Sequence, residues 1–176
     1  MAQPSPEEAI RTLDDGRRQV LELVARLSDE QVERTATIGG GDWSAKDLVA
    51  HLEVWEAIAL QALQEWRTGT IPAIEEVFAK NAEGVDALNA ERVQAKRALT
   101  ISEVSTQATD THRELIEELS HIGPEEWEGQ AFYETKRRTR LGTLLGAITG
   151  APKRPFGHAF AHLPDLEAYV SSLPVD

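Results

Sequence analysis

Apolar residues recur at helical spacing over most of the chain, and the two-residue alternation of a half-buried strand is scarce. A first helix is predicted from about Pro6 to Leu27, where Ile10, Leu13, Val20, Val24 and Leu27 step by threes and fours with one gap at Arg17. Pro6 suits its first turn, where a missing amide hydrogen costs no helical bond. The stretch ATIGGGD then breaks the pattern. A second helix has a well-marked start: Ser44 as cap, Asp47 three residues on as in a capping box, and Trp43 placed to pack on Leu48 as a hydrophobic staple. Leu48, Leu52, Trp55, Ala59, Ala62 and Trp66 carry its stripe to about Thr68. A third helical region opens near Ala82, is interrupted or re-capped at TISEV, and continues through Ile101, Val104, Ala108, Leu115, Leu119 and Ile122 until Gly123 and Pro124 stop it. The basic loop ETKRRTR and the short apolar LGTLLGAI lead through TGAPKRP to a final helix ending near Leu173. The pattern predicts an all-α fold, an antiparallel bundle of four main helices with short extra helices in the connections.

Composition narrows what such a bundle does. With 176 residues, 41% of them hydrophobic, and no repeat, low-complexity tract or linker, a single domain over 1–176 is expected. The net charge of -12 opposes binding to nucleic-acid phosphates or an anionic membrane, so a small molecule or a protein is the expected partner. No cysteine is present, which excludes disulfides, thiolate metal sites and cysteine catalysis and leaves histidines and carboxylates as ligands. The opening MAQPSPEEAIRTL lacks the apolar core of a signal peptide, and no stretch is long and apolar enough to span a bilayer; a cytoplasmic location is expected.

One histidine, His51, interrupts the apolar stripe of the second helix. A lone helical histidine is usually a hydrogen-bonded core residue. The last helix, however, carries His158 and His162 four residues apart, a spacing that stacks both rings on one helix face within reach of one metal ion. If that helix packs on the second, His51 supplies a third nitrogen, and three neutral imidazoles suit zinc, nickel or iron with a position left open. The competing reading is that the pair lies beside the apolar stripe of Phe160, Leu163, Leu166 and Val170 and is simply solvated, with Pro164 bending or ending the helix nearby.

A long first helix, then DWSAKDLVAHLEVWE, then DALNAER opening a third helix, then HxxxH in the last, resembles the DinB/YfiT-like superfamily of metal-dependent enzymes over nearly the whole chain. The resemblance implies an up-down-down-up four-helix bundle and a homodimer through helix faces. Matched residue by residue, it implies His51, His158 and His162 as ligands of a divalent ion. Activities in the superfamily include transfer or isomerisation with low-molecular-weight thiols and some hydrolase-type reactions. A three-histidine site keeps a charge close to 2+, so a bound water is acidified or a thiol held as its thiolate.

Against the acidic background, Lys136, Arg137, Arg138 and Arg140, with Lys153 and Arg154 before the last helix, form a basic cluster. Such a run is ordinarily a solvated loop; the alternative is that Arg137 and Arg138 hold a carboxylate of a thiol cofactor or substrate. His112 continues an apolar stripe and is expected to be buried and hydrogen-bonded, or else to intrude in the triad; His121 sits where a helix end favours positive charge. Asp47 is either committed to the helix start or an acceptor for the His51 ring. Trp55 is expected in the core, Asn89 as a cap or brace of the third helix, and Glu114, Glu117 and Glu118 on a solvated face. Three classes follow: a metal-dependent enzyme acting on a small molecule with a possible thiol cosubstrate, a bundle that binds or sequesters a small molecule, and a structural or regulatory dimer whose site has decayed.

Overall fold

Four helix starts use the same local device. Ser5, Ser28, Ser44 and Thr100 each accept a hydrogen bond from the backbone amide three residues on, and Glu8, Gln31, Asp47 and Glu103 at those positions accept one from the cap's own amide. Two of the helix's orphan donors are satisfied each time, which fixes where these helices begin. The computed structural model describes residues 3–39, 41–135, 137–151 and 154–174. The helices are α1 (Pro6–Val24), α2 (Asp29–Glu33), α3 (Ala45–Arg67), α4 (Ile74–Ala79), α5 (Asn81–Lys96), α6 (Ile101–Ser120), α7 (Pro124–Trp127), α8 (Leu141–Ile148) and α9 (His158–Ser171). No strand occurs among the described residues, only three isolated bridges, of which Ile38 with Trp43 closes the turn before α3.

The all-α expectation holds. Helix α3 packs along α6 and against α9, while α1 packs against α9 and α6, so these four enclose a common interior. Helices α5 and α8 lie against α3, and α4 against α5. Two apolar clusters fill the interior. One gathers Leu13, Trp55, Leu63, Leu115, Trp127, Leu144 and Phe156; the other gathers Val20, Leu48, Val49, Val104, Leu163, Leu166 and Tyr169. On α3 the residues before His51 belong to the second cluster and those from Trp55 onward to the first, so His51 sits where one core gives way to the other. No helix among the described residues is long and apolar enough to cross a membrane.

Two expectations are corrected, and a third is met. Helix α1 ends at Val24, short of Leu27, because the amides of Arg26 and Leu27 bond back three residues, to Leu23 and Val24, and close the end as tight turns. The break expected at TISEV occurs: the third region is two helices, α5 and α6, because Thr100 starts a new capping box. Pro164 does not end the last helix: α9 runs through it to Ser171, since a proline removes only its own bond to the carbonyl four residues back.

Candidate metal centre

Helix α3 carries His51 two turns beyond its cap, at 3% exposure. Helix α9 opens on His158, whose backbone amide donates to the carbonyl of Thr149 at 3.1 Å and so ties the helix start to the end of α8. His162 follows one turn later. The expected packing of the two helices occurs, and the rings converge: the Nε2 atoms of His51 and His158 lie 3.0 Å apart, and those of His162 and His158 3.2 Å apart. Among the described residues these three form a group able to hold a metal ion.

The electrostatics suit a cation. Burial, followed by the proximity of the other two rings, pushes the His51 pKa down to about 2; burial and then His162 push His158 down to about 3. His162 is lowered by burial against an opposing pull from Asp165. All three are therefore neutral imidazoles at physiological pH, with lone pairs to offer. Three such ligands at roughly 2.0–2.1 Å around a tetrahedral ion stand about 3.3–3.4 Å apart, close to the spacings present here. The residues fit a divalent ion such as zinc, and nothing in an imidazole set separates zinc from nickel or iron. With Nε2 turned inward, the Nδ1 atoms of His51 and His158 face away from the centre, buried and without a partner among the described residues.

A pocket of about 270 Å³ opens on the three rings, lined also by Trp43, Trp55, Phe78, Ala147, Ile148 and Gly150. Trp43 lies against the His51 ring at 4.7 Å between centroids, and Phe78 stacks on Trp55 at 6.4 Å. Trp55 is buried in the core as expected, yet its ring also forms pocket wall. Asn89 braces it, accepting from the indole Nε1–H at 2.9 Å, and leaves its own Nδ2 as the donor it can offer a ligand.

The family model of the DinB superfamily matches residues 12–163. This chain belongs to the DinB superfamily. A crystal structure of an uncharacterised protein from Escherichia coli UTI89 is similar over 97% of this chain and 95% of that one, with a TM-score of 0.74 and 13% identity, a likeness of fold alone. No curated protein matches the sequence.

Around the centre of this DinB-superfamily chain, the remaining candidates fall into place. Asp47 belongs to the helix start: it accepts from the Ser44 amide at 3.0 Å, with the Arg97 guanidinium 3.4 Å away, and does not bond His51. Arg138 donates twice to Glu75, at 2.9 and 2.6 Å, and lies over the Phe78 ring at 4.6 Å, behind the pocket wall. Arg137 is exposed; Arg140 pairs with Glu128, and Arg154 stacks on Phe160. Lys136 and Lys153 lie outside the described residues. His121 caps the C-terminus of α6, and Glu118 pairs with Arg67.

His112 does not join the triad. Its Nδ1 faces Glu56 at 3.0 Å and its Nε2 faces Asp14 at 2.9 Å. Burial lowers its pKa, but the hydrogen bond and charge of Glu56 and then the bond to Asp14 outweigh this, so the net shift is upward. Beside it Arg17 donates to Thr109 at 3.0 Å; burial lowers its pKa against the pull of Glu56 and Asp14. Sequence reasoning missed Glu56 and Glu53, both buried on α3. The available signal was two carboxylates inside the apolar segment HLEVWEAIAL. Glu53 is neutralised by Lys96 and accepts from Thr111 at 3.1 Å.

Proposed function

We propose that this chain is a divalent-metal-dependent enzyme acting on a small molecule, by thiol-dependent transfer or isomerisation or by hydrolysis, with His51, His158 and His162 as the metal ligands. One observation carries the reading: the Nε2 atoms of buried His51 and half-buried His158 and His162, all neutral, converge beside an aromatic-lined pocket. A bound ion there supplies a Lewis acid with an open position, which acidifies a water or thiol brought to it. The chain's residues do the rest. The Trp43, Trp55 and Phe78 rings receive an apolar or flat group, and the Asn89 amide offers one directional hydrogen bond. Among the described residues no carboxylate or lysine lines the pocket. Arg137 and Arg138 enter the proposal as anchors for an anionic cosubstrate, Arg138 by exchanging Glu75 for it. The up-down-down-up order of the four long helices, a homodimer through helix faces and a cytoplasmic location belong to the same reading, drawn from the resemblance.

The test is turnover. Protein loaded with zinc, nickel or ferrous iron is assayed with a small thiol and an electrophile, and separately with esters and amides, beside His158→Ala. The expected result is metal-dependent turnover of one class, lost in the variant. The second reading, a binding or sequestering bundle, is favoured by the same lack of an acid–base residue in the walls. Tight binding of an apolar small molecule by wild type and variant alike, without turnover, would select it.

A further inference from the structure

Behind the metal centre, on the side of α1, lies a second cavity. His158 lines both spaces. The walls of this one are largely apolar, from Leu13, Val20, Leu52, Trp55 and Phe156, but four polar side chains also reach it: Arg17, Glu56, Thr149 and His158. About 30 Å³ of it can hold water centres. At roughly 10–15 Å³ for each water, that is room for about two, and the polar groups supply the several partners a buried water needs.

Two orphaned atoms belong to residues that line this cavity. Among the described residues the Nδ1 of His158 is buried without a hydrogen-bond partner, and so is the Oε2 of Glu56. They are chemically complementary. His158 presents Nε2 to the other two histidines, so its ring proton resides on Nδ1 whenever the Nε2 lone pair is given to an ion, and a buried N–H requires an acceptor. Glu56 is the carboxylate of the cavity wall, and its other oxygen, Oε1, is fixed by the His112 ring at 3.0 Å. His112 is anchored in turn by Asp14 at 2.9 Å on the far side. The carboxylate is thus held in one orientation with its second oxygen left over. Arg17 and His112 stand beside Glu56 and Asp14 and interact with both.

We propose that Glu56, held by His112 and Asp14, is a positioning residue for the metal centre, accepting from His158 Nδ1–H through water in this cavity. The inference rests on the metal reading given above. It assigns a role to a network that would otherwise be a buried polar cluster without purpose in the core. An acceptor at Nδ1 fixes the ring's tautomer and rotation and raises the basicity of Nε2 toward the ion.

The experiment is a zinc titration against a competing chelator for the tag-free wild type, Glu56→Gln and Glu53→Gln. Glutamine at 56 keeps an oxygen for His112 but turns a donor into the cavity, so the water that accepts from His158 loses its acceptor at residue 56 and the negative charge behind the ring is gone. Zinc affinity is expected to fall roughly 10- to 100-fold in Glu56→Gln. Glu53→Gln, a buried carboxylate on the same helix that does not line the cavity, is expected to bind like wild type. The His158 Nδ1 proton, followed by nitrogen-edited NMR of the zinc-loaded proteins, should exchange slowly in wild type and in Glu53→Gln and rapidly in Glu56→Gln. Equal zinc affinity in wild type and Glu56→Gln, or equal losses in both variants, would overturn the role of Glu56 while leaving the metal reading intact. No zinc uptake by wild type would overturn both.

Discussion

Phe156→Ala is expected to destabilise the fold by roughly 3–5 kcal/mol, the range for removing a large aromatic from a packed core. The ring is 2% exposed and stacks on Trp127 at 5.8 Å between centroids. It also lies against α8, where a Cβ added to Gly146 would stand 3.0 Å from it, so the space it fills cannot be closed by small movements. Its backbone sits at φ +60°, a region that disfavours side chains, and is tied to Gly146 by an amide bond of 3.3 Å. Packing of the ring outweighs that strain. Alanine forfeits the packing and keeps the strain; Phe156→Gly forfeits the packing and relieves it, and should be the less damaged of the two. Because His158 follows two residues later, both variants should also loosen the first turn of α9. Urea unfolding of the three proteins checks the ranking, and an alanine variant within about 1 kcal/mol of wild type would contradict it.

His112→Ala is the second large effect, on the order of 3 kcal/mol, because it strips a buried carboxylate of its cationic partner. Half-exposure of Asp14 keeps the figure at the low end of what breaking a buried pair costs. The loss should depend on pH in a defined direction. The folded-state pKa of His112 lies above its ordinary value near 6.5, so its contribution is complete below that value and fades as pH rises through the raised one. The stability gap between wild type and His112→Ala should therefore be widest near pH 6 and narrower near pH 9. Comparing the two proteins at each pH cancels the opposite trend of the triad histidines, whose lowered values weaken the fold in acid. A gap that grows toward pH 9 would show that His112 is not held as a cation.

The sequence was most legible where one residue type has one local job. Ser44 and Asp47 mark the start of α3, and that start sets which helix face His51 presents. The four-residue step from His158 to His162 puts two rings on one face, but only the packing of α9 on α3 brings the third to 3.0 Å, and spacing alone left the solvated reading open. Other elements were hidden for physical reasons. Helix α2 buries only Val32, so it carries no periodicity, although Ser28 and Gln31 spelled its cap. Helix α5 buries only Gly84 and Val93, so its own stripe is faint, and the boundary with α6 was legible only from the cap at TISEV. Glu56 escaped notice because its partners, Asp14 and His112, come from α1 and α6, and nothing local joins them. The arginines of ETKRRTR were visible as charge, but not that Arg138 is engaged by Glu75.

The central claim is that three histidines from α3 and α9 bind one divalent ion. Its most direct test is zinc stoichiometry of the tag-free protein, by elemental analysis after loading and desalting, beside His51→Ala. The account predicts close to one ion per chain in wild type and a near-complete loss in the variant. Wild type that retains no zinc, nickel or iron, or a variant that retains as much as wild type, would contradict it.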